Sequence, residues 1–114
     1  MDKLLRRSDF KRVYAGGAKV VGRYLVIFAL AGDGEMRRLG ITATRKIGGA
    51  VVRNRARRRI RELARSREAL LEGWGGEIVV NVRRACAEVA WNALAEDFER
   101  CVKRARTAPR PPVS

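Results

Sequence analysis

The chain has 114 residues, 46% hydrophobic and 33% charged, which bounds it to one globular domain with a modest core. Its 26 Lys and Arg against 12 Asp and Glu give a formal charge of +14, an imbalance that points to polyanionic partners rather than to a fold. Histidine, the commonest general acid–base side chain, is absent, and the two cysteines, Cys86 and Cys101, do not amount to a zinc ligand set.

In chain order, the opening MDKLLRRSDF has no long apolar core after its charges and does not read as a secretory signal. Ser8 is the expected cap of a short helix with Phe10, Val13 and Tyr14 on one face, closed by Gly16-Gly17. Residues 18–31 are rich in β-branched and aromatic side chains. They read as one long strand bent at Gly22, or as two strands. The apolar run Tyr24–Ala31 falls far short of the roughly 20 residues of a membrane helix. No membrane is expected, and the setting is read as cytoplasmic with both thiols reduced.

GDGE at 32–35 is a turn signal, and RRLGITATR returns as a further strand. KIGG forms a loop before a helix over about 50–66. Glycines 73, 75 and 76 precede the buried-type strand EIVVNVR at 77–83. A last helix over about 89–106 carries Trp91, Leu94, Phe98, Val102 and Ala105 on one stripe. Trp91 is expected to anchor the core and Trp74, between glycines, to be partly exposed. One domain over 1–107 is expected, with a disordered Pro-rich tail over 108–114. Helices packed on a small sheet make the fold class α+β.

The helix over 50–66 concentrates the chemistry. Val52, Ala56, Ile60 and Leu63 fall on one sector of a helical wheel, about 80° wide at 100° per residue. Asn54, Arg57, Arg58, Arg61 and Arg65 fall opposite, with Arg53, Arg55 and Arg59 on the flanks. Between positions 45 and 67 there are ten basic residues and one acid, Glu62. An ordinary exposed helix alternates signs and gains i, i+4 pairs, whereas neighbouring cations repel. Arg53 and Arg55 also sit near the positive end of the helix dipole, which suits them only if phosphates dock there. Nucleic-acid binding accounts for these features better than a solvated face, and the commitment of the apolar stripe to the core counts against an anionic membrane.

LGITATRKIGGAVVRNRARRRIRE closely resembles the signature of the bacterial ribonuclease P protein component, a lysine followed by G-x-A-V-x-R-N-x-x-[KR]-R-x-x-R-E on a helix. SDFKRVYAGG resembles the family's first helix and EIVVNVRR its later strand, so the resemblance spans roughly residues 3–106. It implies the element order αβββαβα, with the basic helix in a left-handed crossover between parallel strands. It also implies the small subunit of a ribonucleoprotein endonuclease that removes the 5′ leader of precursor tRNA. In that family the RNA and its Mg²⁺, held mainly by the RNA, carry the chemistry, so no catalytic residue is expected in the protein, and its sequence assigns no residue to a metal.

Two surfaces follow from the resemblance. Arg45, Lys46, Arg53, Asn54, Arg55, Arg57, Arg58 and Arg61 would contact the catalytic RNA, mostly through phosphate and sugar. Phe10, Tyr14 and Phe28 would line a cleft for the single-stranded leader, stacking on unpaired bases. Read from the residues alone, those three rings are more simply a piece of core, and the cleft role rests on the resemblance. Two other function classes compete: a ribosomal or RNA-chaperone binding module without a catalytic partner, and a protein nuclease acting on RNA directly.

Overall fold

Strand β5 (Gly76–Val82) lies at the centre of the fold, and the computed structural model describes the chain around it over residues 1–108. The Pro-rich tail expected to be disordered falls, from residue 109 on, outside the described residues. Ahead of β5 come β1 (Asp2–Lys3), α1 (Arg7–Gly16), β2 (Ala18–Val21), β3 (Leu25–Ala31) and β4 (Arg37–Thr42). A 3-10 turn (Arg45–Ile47), α2 (Ala50–Ser66) and a second 3-10 turn (Glu68–Leu71) then lead to β5. After it follow a short α3 (Ala85–Glu88) and α4 (Trp91–Thr107). The expected α+β class and order are present, with two additions, the short β1 and α3.

The five strands form one sheet in the order β1-β4-β5-β3-β2. β5 runs parallel to β4 and antiparallel to β3, so the β4–α2–β5 connection is a crossover between parallel neighbours. Residues 18–31 form two strands rather than one. The Gly22 N–H donates to the Leu25 carbonyl at 2.8 Å and turns the chain into the β2–β3 hairpin.

GDGE turns the chain, but the strands on either side of it are not hydrogen-bonded neighbours, because β5 lies between β3 and β4. Two glycines allow that entry. A Cβ on Gly75 would sit 2.1 Å from the Gly34 carbonyl oxygen, and one on Gly76 would sit 2.2 Å from that of Leu30. Gly76 also has φ +143°, a conformation L side chains rarely adopt.

Alternation along the strands sends side chains to two separate cores. Leu25, Ile27, Ile78 and Val80 meet Ile60 and Leu63 of α2 and Leu94 and Phe98 of α4 on one face. On the other face Val79 meets Leu4 and Val13, with Phe10, Tyr14, Phe28 and Leu30 packed around them. The two helices over the larger core form where their apolar spacing predicts, and α2 has the expected bounds.

Three local expectations are corrected. Arg6, not Ser8, precedes α1, and no side chain caps the helix; Ser8 lies within its first turn. Trp74 is buried, 9% exposed, because the 3-10 turn folds it onto the core and its N–H donates to the Leu71 carbonyl at 2.9 Å. Trp91 is the partly exposed one. As the first residue of α4 it lies at the margin of the core, with the Arg59 and Arg67 guanidinium carbons 5.7 and 6.0 Å from its ring centre.

One carboxylate fastens the hairpin to the last helix. Asp97 of α4 is 1% exposed and accepts the backbone N–H groups of Arg23 and Tyr24 at 3.1 and 2.9 Å, with Arg100 also donating to it.

Candidate nucleic-acid interface

The basic helix packs by Ala56, Ile60, Leu63 and Ala64, all buried, which leaves its other faces outward. Arg45 and Lys46 are exposed in the 3-10 turn before it. Asn54, Arg55, Arg58 and Arg61 are exposed along it, and Arg53 and Arg57 are half-buried. All eight residues therefore belong to one continuous surface made by α2 and its leading loop. No side chain caps the start of α2, where Gly49 precedes the helix, and the first turn carries Val51 at 82% exposure.

The arginines are not equivalent. Arg57 donates to Asn54 Oδ1 at 3.3 Å and to the Ala43 carbonyl at 3.4 Å, so Asn54 and Arg57 together brace the helix against the end of β4. Arg59 turns inward and donates to the carbonyls of Cys86 and Val89 at 2.8 and 2.7 Å. Arg65 pairs with Glu62. Arg55, Arg58 and Arg61 make no hydrogen bond or ion pair among the described residues. The Nε of Arg53 is buried and without a hydrogen-bond partner there.

The three aromatic residues come together on the opposite face of the sheet. Tyr14 and Phe28 meet edge to face, 4.8 Å between centroids at 84°, and Lys19 Nζ lies 5.8 Å from the Phe28 ring centre. The Tyr14 hydroxyl donates to Asn81 Oδ1 at 2.7 Å and lies 2.8 Å from Thr42 Oγ1. Phe10 lies over Gly40, where a Cβ would stand 2.6 Å from the ring. All three rings are half-buried: they pack as a small core and keep part of their surface open.

A closed ring of charges holds α1 in place over them. Arg12 donates to both Asp9 and Glu77, and Arg38 of β4 pairs with the remaining oxygen of each. Asp9, 7% exposed, is thereby compensated on both sides.

Topology joins the two surfaces at one end of the sheet. Thr42, the last residue of β4, pairs in register with Asn81, and Asn81 with Val26, each one residue from the end of its own strand. Beyond them come Arg45 and Lys46 after β4, and Arg83 and Arg84 after β5. Arg23 lies in the hairpin turn beside them, where the Arg83 N–H donates to the Tyr24 carbonyl at 3.0 Å. Arg23, Arg83 and Arg84 are exposed and extend the basic rim. Their scatter along the sequence hides this; RR after a strand was the only signal.

Burial pushes the Cys86 thiol up to about 11, with Arg59 opposing and Asp97 reinforcing the shift. Cys101 is also pushed upward, mainly by burial. Both are free thiols deep in the larger core. No three His, Cys, Asp or Glu side chains group as a metal site among the described residues. No helix there is long and apolar enough to cross a membrane.

The sequence profile of the family described as Ribonuclease P matches residues 1–106. The chain belongs to the ribonuclease P protein family. The ribonuclease P protein component of Acidothermus cellulolyticus is 38% identical over 104 residues, 90% of this chain and 86% of that protein. That of Gluconacetobacter diazotrophicus is 39% identical over 106 residues, 90% of each. The solved ribonuclease P proteins of Staphylococcus aureus and Thermotoga maritima both superpose with TM-score 0.81. They share 26% and 28% identity, covering 93% and 91% of this chain and 96% and 97% of theirs. Membership makes the chain the protein component of a ribonucleoprotein endoribonuclease, with the ribonuclease P RNA as its partner.

Proposed function

We propose that the protein binds the catalytic RNA of ribonuclease P along α2 and its leading loop, and the 5′ leader of precursor tRNA across α1 and the open sheet face. Arg45, Lys46, Arg53, Asn54, Arg55, Arg57, Arg58 and Arg61 serve the first surface, and Phe10, Tyr14 and Phe28 the second. The observation that carries this reading is the meeting of both surfaces at one end of the sheet. A leader leaving the aromatic face there enters the same field of guanidinium groups that faces the RNA.

The chemistry at the scissile phosphate belongs to the RNA and to Mg²⁺ held mainly by it. The protein's own work is electrostatic and steric. Cations offset the repulsion between two polyanions, and rings accept unpaired bases without demanding sequence. Removal of the leader then yields the mature 5′ end of tRNA, in the cytoplasm.

The test is cleavage of a leader-bearing precursor tRNA by the cognate catalytic RNA at low magnesium, with and without the protein. Strong stimulation that shrinks as the leader is shortened supports both surfaces. Tight RNA binding without stimulation would sink this reading and favour a binding module with no catalytic partner.

A further inference from the structure

We infer that a groove at the outer edge of β4 receives one unpaired nucleotide of the RNA that lies along α2. This rests on α2 being RNA-binding, and the experiment below separates the two. The groove encloses about 420 Å³, within the roughly 300–1,000 Å³ usual for small-ligand sites. It wraps the sheet edge: Arg61 and Ala64 of α2 form one wall, Leu4, Leu5 and Phe10 the other, and Ile41 the floor.

Each part matches a part of a nucleotide. β1 pairs with β4 only at Arg38 and Leu39, and the last bond on that edge runs from the Leu4 N–H to the Leu39 carbonyl at 2.9 Å. β4 continues to Thr42, and alternation turns the N–H and C=O of Ile41 to the same edge beyond that bond. A donor and an acceptor side by side suit the hydrogen-bonding edge of a base. Phe10 supplies a ring wall.

Arg61 supplies the cation for the phosphate. Its neighbours in the groove are spoken for, Arg65 by Glu62 and Glu68 by Arg37 and the Met1 amino group. Asp2 and Lys3, also at the rim, together add no net charge there. Leu5, at the mouth, is 79% exposed.

Charge decides the occupant. Arg61 belongs to both the groove and the face of α2, so an RNA strand on that face passes the mouth directly. A second copy of the chain would bring its own +14 against the same guanidinium groups.

The experiment measures affinity for the ribonuclease P catalytic RNA, at one salt concentration, for the wild type, Leu5→Glu and Leu5→Gln. Met36→Glu, 75% exposed in the β3–β4 connection, controls for net charge. In parallel, catalytic RNA carrying 4-thiouridine or 6-thioguanosine is photo-crosslinked to the wild type and the attached peptides are mapped. The expected result is binding about tenfold weaker for Leu5→Glu alone, with crosslinks at Leu5, Phe10 or Ile41. Equal affinity for all variants, with crosslinks confined to α2, would overturn the groove and leave the α2 reading standing. Failure of the wild type to bind the RNA would overturn both. A dimer dissolved by Leu5→Glu, with RNA affinity unchanged, would give the groove to a second copy and also overturn the inference.

Discussion

The Tyr14 hydroxyl donates to Asn81 Oδ1 over 2.7 Å, joining the first helix to the central strand across the open face of the sheet. The bond fixes the angle of a ring that also meets Phe28 edge to face. Tyr14→Phe removes the bond and keeps the ring, so it is expected to cost about 1 kcal/mol of stability with leader affinity nearly intact. Tyr14→Ala also removes a stacking surface worth about 1–3 kcal/mol per base. Binding of precursor tRNA with and without a leader, by the holoenzyme carrying each variant, checks this. Equal losses on both substrates would refute a leader role for the ring.

Arg58 and Arg59 are neighbours with opposite assignments. Arg58→Ala is expected to leave the unfolding midpoint unchanged and to reduce the slope of log K against log salt by about 0.7–0.9, the share of one phosphate contact. Arg59→Ala removes the donor to two backbone carbonyls and a cation beside Trp91. It is expected to cost about 1–3 kcal/mol in urea unfolding while leaving the salt slope in place.

Asp97 accepts two backbone N–H groups from the β2–β3 turn while almost wholly buried. Asp97→Ala orphans both donors and is expected to destabilise the fold by about 3 kcal/mol. Urea unfolding measures the loss. A cost below about 1 kcal/mol would show that the turn finds other partners.

Cys86 makes stability depend on alkaline pH. Its thiol is held near 11 in the fold against 9.0 for an unperturbed one, so the folded state favours the protonated form. That contribution is complete below pH 9 and is lost as pH rises toward 11, because the unfolded chain ionises first. The loss amounts to about 2–3 kcal/mol. Comparing unfolding of wild type and Cys86→Ala at pH 8 and pH 11 isolates it: the wild type is expected to lose the larger share. The same burial predicts negligible alkylation of the folded protein at pH 8.

Local signals served best where a pattern was long. The apolar stripe of α2 and its opposing cations were readable because seventeen residues repeat one periodicity, and the helix has the expected bounds. The neighbours of β4 were not readable: a turn signal between two strands predicts a hairpin, and nothing in GDGE reveals that a later strand comes between them. Trp74 misled for a related reason. Glycines on either side suggest a loop, but burial depends on which core the loop folds over. Within the site, the charge ring of Asp9, Arg12, Arg38 and Glu77 draws on three elements, and no spacing rule links them. Arg59 lay at the flank of the buried stripe on the wheel, and only the positions of the Cys86 and Val89 carbonyls decide that it turns inward.

The placement of β5 also sets the order in which the molecule can assemble. During synthesis β3 and β4 emerge early but do not pair with each other, and the strand that joins them arrives only with residues 76–82. Until then the basic helix precedes its own half of the sheet, as a cationic segment without a packed face. Pairings so distant in sequence are reached late and slowly. A nascent chain of this kind stays open until its final third leaves the ribosome, and a nearby polyanion would encounter α2 before the sheet behind it is complete.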